Sequence, residues 1–336
     1  MLDKDTTMMT AQSKIQRRQL GSSAILLSPI GLGCWQFGGR KNLSARFWPA
    51  VEEEEIRAVV RDSLAAGVNW FDTAEAYGGG ESERRLAAAL RSLQVKPEDI
   101  LIATKWMPVF RLAGSITRSI DIRLKNLAGY PIGLYQIHQP WSFSSISSQM
   151  RAMARLVREG KIRTVGVSNF SARQMRTAHR KLQENGLSLV SNQVRYSLLH
   201  RRIEANGIID TAKELGIIII AYSPLAQGLL SGKFHNDPEL VRRRPGFRRF
   251  MPGFHRRGLA KSLPVIRTLR QVAEARGVTL SQAALNWLLQ VQGPTVVAIP
   301  GATSSAQAKE NAGAMNFALG PEDMDRLNRV SLAFQK

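Results

Sequence analysis

The chain has 336 residues, 44% of them hydrophobic and 22% charged, ordinary proportions for a globular protein with a large core. Its most apolar short run, Ile217–Ile220, is far below the ~18 residues of a membrane-crossing helix, and a single cysteine, Cys34, excludes an intramolecular disulfide or a cysteine-rich zinc site. The formal charge of +21 comes with no zinc-finger spacing, RNP-like aromatic motif or basic heptad helix, so it predicts weak attraction to polyanions and no specific nucleic-acid partner.

Residues 1–15 mix charge and polarity without an apolar segment. They predict a disordered tail and no secretory leader, followed by one domain over residues 16–336, with no membrane insertion and a cytoplasmic location. "RRQLGSSAILLSP" (Arg17–Pro29) reads as a short hairpin, after which strand-like and helix-like patterns alternate. A strand over Pro29–Trp35 precedes a helix over Glu52–Ala66, whose four leading Glu suit the positive end of a helix and which stops at Gly67. Strand Val68–Ala74 leads to helix Glu81–Leu93, strand Ile100–Lys105 to helix Ser115–Leu127, and strand Ile132–His138 to helix Ser145–Glu159. Strand Ile162–Ser168 leads to helix Ala172–Glu184 and strand Leu189–Val194 to helix Ile203–Leu215, with Gly160, Gly186 and Gly216 at C-terminal stops. Strand Ile217–Ser223 opens a longer stretch holding the basic patch "RRRPGFRRFMPGFHRR" (Arg242–Arg257). Two helical patterns over Pro264–Gln290 then precede the last strand, Thr295–Pro300.

The strands are short and mostly apolar, as strands covered on both faces are. About eight strand–helix units with right-handed crossovers make a parallel sheet that can close into an α/β, (β/α)8 (TIM) barrel. The hairpin would plug its bottom and further helices would follow at the C-terminus. A doubly wound open sheet is the competing architecture. Its Gly-x-Gly-x-x-Gly fingerprint fails in "GLGCWQ", where Gln36 stands sixth, so the barrel is expected.

Active sites of such barrels lie at the C-terminal strand ends. There the second strand offers Asp72 and, five residues on, Tyr77; the third offers Lys105 and the fourth His138. The fifth ends in Ser168 and Asn169, the sixth holds Asn192 and Gln193, and the seventh ends in Tyr222 and Ser223. Singly, each has a plain structural reading: Asp72 as a helix cap, Tyr77 as a packing residue, Lys105 as an edge charge, His138 as a structural histidine. Glu75 is read as solvated. Together on neighbouring strands they make chemical sense. A nearby ammonium lowers the pKa of a phenol, and a carboxylate keeps that ammonium charged and placed. The phenol then delivers a proton to an oxygen becoming alkoxide, while a neutral histidine orients the carbonyl. The set suits carbonyl reduction and supplies neither a nucleophile nor a metal cage.

"FDTAEAYGGGES", "IATKW", "LYQIHQP", "VGVSNF", "SNQVRYSLL", "AYSPLAQGLLSGK" and "IPGATSSAQAKENAGAM" occur in this order. With them the chain resembles the aldo-keto reductase superfamily, on the bacterial and plastid branch related to potassium-channel β subunits. The resemblance covers the chain from about Leu20 to the C-terminus. It implies a barrel that binds NADP(H) without a Rossmann domain and reduces a small-molecule carbonyl. It also implies Tyr77 as general acid/base, Asp72 and Lys105 tuning it, and His138 orienting the carbonyl. Ser168, Asn169 and Gln193 would hold the nicotinamide carboxamide, Tyr222 would stack on the ring, and Trp35 would border cofactor and substrate. Ser223, Pro224, Leu225, Gln227, Gly228 and Lys233 would wrap the pyrophosphate. Gly301, Thr303, Gln307, Glu310 and Asn311 would hold the adenosine end, where helix amides attract phosphate.

Two positions depart from the pattern. "QPW" after His138 replaces Trp-Pro-Asp, which alters a pocket wall. At the adenosine end many relatives place a basic residue against the 2′-phosphate, whereas here only Lys309 is basic nearby. NADP(H) is expected, with NAD(H) open. Trp35, Trp106, Met107, Phe110 and Trp141 near the mouth imply an apolar or aromatic carbonyl substrate. The Arg242–Arg257 patch reads as a solvated loop, or alternatively as a lid in which Arg242, Arg243 and Arg244 attract phosphates. Cys34 reads as a small buried hydrophobe beside the cofactor. The channel-related branch also suggests a different class, a nucleotide-sensing regulatory subunit with little turnover. Relatives range from monomers to octamers, so the resemblance fixes no oligomeric state.

Overall fold

The computed structural model describes residues 16–39, 51–243 and 247–335; the expected tail, residues 1–15, lies outside the described residues. Strands β1 (Arg18–Gln19) and β2 (Leu26–Leu27) pair antiparallel, Arg18 opposite Leu27. Eight parallel strands follow: β3 (Leu32–Gly33), β4 (Trp70–Asp72), β5 (Leu101–Trp106), β6 (Ile132–Ile137), β7 (Ile162–Ser168), β8 (Leu189–Arg195), β9 (Ile218–Tyr222) and β10 (Val296–Ala298). Each lies beside its predecessor in the sheet. Parallel bridges from Ile30 to Ala298 and from Gly33 to Gly301 join the first strand to the last. Across this seam Gly31 N–H donates to the Ala298 carbonyl at 2.8 Å, Ala298 N–H to Pro29 at 3.0 Å and Gly33 N–H to Pro300 at 3.1 Å. The sheet is therefore a closed (β/α)8 barrel. A Cβ on Gly33 would stand 2.9 Å from the Ile299 carbonyl oxygen, so the seam needs a residue without one.

Helices α1 (Glu53–Ala65), α2 (Glu81–Ser92), α3 (Gly114–Asn126), α4 (Ile146–Arg158), α5 (Ala172–Gln183) and α6 (Ile208–Glu214) alternate with the strands up to β9. After β9 come α7 (Lys233–Asn236), α8 (Leu240–Arg243), α9 (Arg256–Arg276) and α10 (Leu280–Gln290); α11 (Ser305–Gly313) and α12 (Pro321–Gln335) follow β10. Glu53, Glu54 and Glu55 occupy the first turn of α1, where the dipole favours them, and Ile56, Val59 and Val60 face the core. Capping boxes at Ser171/Gln174 and Thr279/Gln282 start α5 and α10. None of the described helices is long and apolar enough to cross a membrane.

Two helical expectations need correction. The helix placed at Ile203–Leu215 is a short 3-10 turn, Arg202–Glu204, followed by α6, because Gly207 at φ 80° breaks the run. The helix placed from Pro264 begins at Arg256, with Pro264 inside it. The rest of the helix carries the proline past its missing N–H.

The strand period decides which side chains meet. Trp70, Leu101, Leu134, Ile220 and Val297 fill the barrel interior, and Leu20 and Leu27 from the hairpin pack onto that cluster. Further along, the same inward face carries Asp72 two residues beyond Trp70 on β4, Gln136 two beyond Leu134 on β6, and Lys105 four beyond Leu101 on β5, with Ala103 between. The outward residues Phe71, Ile102 and Trp106 belong to the larger core between sheet and helices.

Candidate active site

β4 ends at Asp72, and the chain then makes a tight excursion to α2. Thr73 N–H donates to Ala103 at 2.8 Å and Glu75 N–H to Lys105 at 3.3 Å, fixing the excursion against β5. The Thr73 hydroxyl donates to Ser82 at 2.8 Å, and Ser82 to the Cys34 carbonyl at 2.7 Å. Gly78, Gly79 and Gly80 all have positive φ. At Gly78 a Cβ would stand 2.1 Å from the Gly38 carbonyl oxygen, so the turn that presents Tyr77 requires glycine there.

Lys105 is fully buried. Its ammonium donates to Asp72 Oδ1 at 2.5 Å, to the Thr73 carbonyl at 2.8 Å and to the Tyr77 hydroxyl at 3.2 Å. The second Asp72 oxygen accepts from Gln193 at 2.8 Å and Gln136 at 3.3 Å, so this buried carboxylate is fully engaged. His138 N–H donates to Trp106 at 2.9 Å, holding the end of β6. Its ring meets Tyr77 edge-on, centroids 5.7 Å apart, and Trp35 lies 6.4 Å from Tyr77 on another side.

These positions set the protonation states. Burial, with help from Lys105, pushes the His138 imidazole down to about 3, so it is neutral near pH 7. Burial raises the Tyr77 phenol while Lys105 pulls it down, and the net direction is upward. That reverses the expectation drawn from the ammonium alone, because the cost of a buried phenolate exceeds the attraction of Lys105. Burial also opposes the Lys105 charge, but Asp72 and Tyr77 outweigh it and hold the ammonium above its ordinary value. Burial and then Asp72 raise the Cys34 thiol well above its usual range, leaving it protonated and inert.

Tyr77 and His138 stand in the wall of a cavity of about 870 Å³ at the C-terminal ends of the strands. Lys105 does not line it; its ammonium reaches the cavity wall at the Tyr77 hydroxyl. Ser168, Asn169, Gln193 and Tyr222 line one part. The Ser168 hydroxyl donates to the Gln193 carbonyl at 2.9 Å, and the Tyr222 hydroxyl to Asn169 Oδ1 at 3.1 Å. The loop after β9 runs through Ser223, Ala226, Gln227 and Gly228 at positive φ. Ser223, Pro224, Leu225, Gln227, Gly228 and Lys233 of this stretch reach the cavity. Gly301, Thr303, Gln307, Glu310 and Asn311 close another part. There Thr303 N–H and hydroxyl donate to Gln307 Oε1 at 2.9 and 3.1 Å, and Asn311 donates to the Gly301 carbonyl at 3.3 Å. Among the described residues no group of His, Cys, Asp and Glu is arranged to hold a metal.

Several expected placements change. Glu75 is buried rather than solvated: it accepts from Met107 N–H at 2.5 Å, from Arg123 at 2.7 Å and from Arg111. Trp106 is not at the mouth but in the outer core, donating to Ser115 at 3.1 Å. Met107 and Trp35 line the cavity, whereas Phe110 and Trp141 are exposed and are not among its lining residues. Arg242 and Arg243 are exposed and pair with Glu239 and Asp237; neither lines the cavity, and Arg244 lies outside the described residues. Arg248 is the residue of the basic patch that is buried against the cavity. Sequence reasoning also missed Gln36, Gln139 and Ser281 in the lining and Gln136 beneath it.

Residues 29–331 match the Aldo/keto reductase family. An uncharacterized oxidoreductase of Mycobacterium tuberculosis is 37% identical over 310 residues, covering 92% of this chain and 91% of its own. Chloroplastic pyridoxal reductase of Arabidopsis thaliana is 30% identical over 327 residues, covering 93% of this chain and 85% of its own. Among solved structures, an aldo/keto reductase from Klebsiella pneumoniae in complex with NADP and acetate superposes with a TM-score of 0.72 at 26% identity, covering 94% of this chain and 95% of the other.

Proposed function

For a chain that belongs to the aldo/keto reductase family, we propose the reduction of aldehydes or ketones to alcohols with NADP(H), Tyr77 being the general acid. The observation that carries this reading is the Tyr77 hydroxyl, 3.2 Å from the Lys105 ammonium and beside a neutral His138 in the cavity wall. A carbonyl oxygen placed between Tyr77 and His138 accepts a hydrogen bond from the imidazole and its proton from the phenol. The raised phenol pKa keeps that proton in place until negative charge develops on the oxygen. Lys105 then stabilises the phenolate left behind, and Asp72, gripped by Gln136 and Gln193, keeps the ammonium in position.

The cavity residues fit a dinucleotide. Gln36 Oε1, Gln227 Oε1 and His138 Nδ1 are buried without a protein partner, and all three residues line the cavity. Buried polar atoms of this kind call for a polar ligand. The bound cofactor supplies a hydride to the carbonyl carbon. Ser168, Asn169 and Gln193 would hold its carboxamide, and Tyr222, oriented by Asn169, would contact the ring. Lys233 and Arg248, with the amides of the Ser223–Gly228 turn, would meet the pyrophosphate. Gly301, Thr303, Gln307, Glu310 and Asn311 would hold the adenosine. The Klebsiella enzyme's NADP complex supports the choice of cofactor. Trp35, 6.4 Å from Tyr77, and Met107 in the same cavity lining favour an apolar substrate face.

The test is NADPH consumption by the purified protein against a panel of aliphatic and aromatic aldehydes. Turnover is expected. Tight NADPH binding with no turnover across the panel would favour a nucleotide sensor instead.

A further inference from the structure

We infer that Glu55 and Asp62 of α1 weaken recognition of a ribose 2′-phosphate at the adenosine end of the cavity, so that NADP(H) and NAD(H) bind with similar affinity. This inference rests on the nicotinamide-cofactor reading above. The 2′-phosphate is the whole difference between the two dinucleotides, and a site selects for it by offering unoccupied donors or cations. The start of α11 is the natural place, since helix amides and the dipole attract anions there. Thr303 and Gln307, on either side of that start, line the cavity.

The Ser305, Gln307 and Thr303 donors at that helix start already have acceptors within the protein. Ser305 N–H donates to Glu55 at 2.7 Å, and the Ser305 hydroxyl donates to Asp62. Gln307 N–H donates to the Ser304 hydroxyl at 3.3 Å. Thr303 donates through N–H and hydroxyl to the Gln307 side chain at 2.9 and 3.1 Å. Lys309, the basic residue of α11, stands 3.3 Å from Asp62, whose other oxygen accepts from Arg61 at 2.8 Å. Glu310 is the carboxylate of this end that lines the cavity itself; Glu55, Asp62, Ser305 and Lys309 stand behind that lining. A phosphate that takes the Ser305 amide must displace Glu55 from it, and one held by Thr303 and Gln307 has the Glu55 and Asp62 charges behind it, each at a cost in like-charge repulsion. A ribose hydroxyl meets no such cost, because it can donate to a carboxylate. The helix start thus carries its own anion, supplied by α1.

The probes are 5′-AMP and 2′,5′-ADP, which differ only in the 2′-phosphate, titrated by calorimetry into the wild-type protein, Glu55→Gln and Asp62→Asn. Both substitutions remove the charge and keep an acceptor oxygen for Ser305, so α11 stays capped. Wild type should bind the two nucleotides within about tenfold of each other. Glu55→Gln should tighten 2′,5′-ADP about tenfold and leave 5′-AMP within about twofold. Asp62→Asn, which releases Lys309, should shift the ratio the same way by a smaller factor. A more than hundredfold wild-type preference for 2′,5′-ADP, or no gain in either folded variant, overturns the inference while leaving the cofactor reading intact. Failure of the wild type to bind either nucleotide and either dinucleotide removes the cofactor reading itself, and this inference with it.

Discussion

Asp72 and Glu75 lie three residues apart, and each ends in a buried ionic cluster, yet the two clusters have opposite characters. Asp72 points into the barrel, where it meets Lys105, Gln136 and Gln193, and the cluster opens to the cavity through the Tyr77 hydroxyl. The Glu75 cluster ties together the chain around the barrel. Arg123 bridges Glu75 at 2.7 Å and Glu83 at 3.0 Å, Thr104 donates to Glu83 at 2.7 Å, and Arg111 binds Glu75. Here both carboxylates are matched by guanidinium groups, and none of these side chains lines the cavity. Buried charge thus occurs twice within one turn of chain, once against the hydroxyl proposed as the proton donor and once fastening the loop that carries it.

The comparison can be broken at its strongest point. Tyr77→Phe keeps the ring and removes the proton, so kcat should fall by about 10²–10⁴. Dinucleotide affinity, read by fluorescence titration, should change less than about twofold. Comparable activity in this variant would place the acid elsewhere. On the other cluster, Arg123→Met leaves Glu75 and Glu83 buried with fewer partners, and should cost about 3–5 kcal/mol in a denaturant titration. The surviving folded fraction should retain kcat within about tenfold. A loss as deep as that of Tyr77→Phe would erase the distinction between the clusters.

Proton uptake sharpens it further. With His138 held near 3 and the Tyr77 phenol raised above its ordinary 10, the reduction rate should show no histidine titration in the neutral range. It should fall only in alkali, as Tyr77 loses its proton. For stability the sign is the reverse of a salt-bridged histidine. The unfolded chain takes up a proton near the ordinary 6.5, whereas folded His138 resists it down to about 3. Stability should therefore decline as pH drops from about 6.5 towards about 3. Thermal melts at several pH values should show this slope, and His138→Gln should flatten part of it. The smallest effect belongs to the exposed pairs of Arg242 and Arg243. Replacing both with Gln should shift KM for cofactor by less than about twofold, since exposed ion pairs contribute little.

The barrel was legible because short apolar runs alternating with amphipathic segments leave few other topologies. The meeting of Asp72, Tyr77, Lys105 and His138 was legible because polar residues stand at or just past the ends of β4, β5 and β6. Gln136 and Trp106 were legible too, had the period-two rule been carried one step further: Gln136 shares the inward face of Leu134, and Trp106 the outward face of Ile102. Glu75 was not. Its partners Arg111 and Arg123 are distant in sequence and lie beyond a turn with no period, so only the folded path brings them together. Arg248 escaped for the same reason, because nothing in a run of arginines says which one the irregular loop turns towards the cavity.

The seam between β3 and β10 governs how the molecule is made. Pro29 and Gly33 find their partners only near Ala298 and Gly301. The cylinder therefore stays an open curl during synthesis until the segment from Val296 to Gly301 has left the ribosome. Contacts so far apart in sequence close slowly, and two bare strand edges invite pairing between nascent chains in the interval. A chain stopped before Val296 would keep those edges for good and should aggregate.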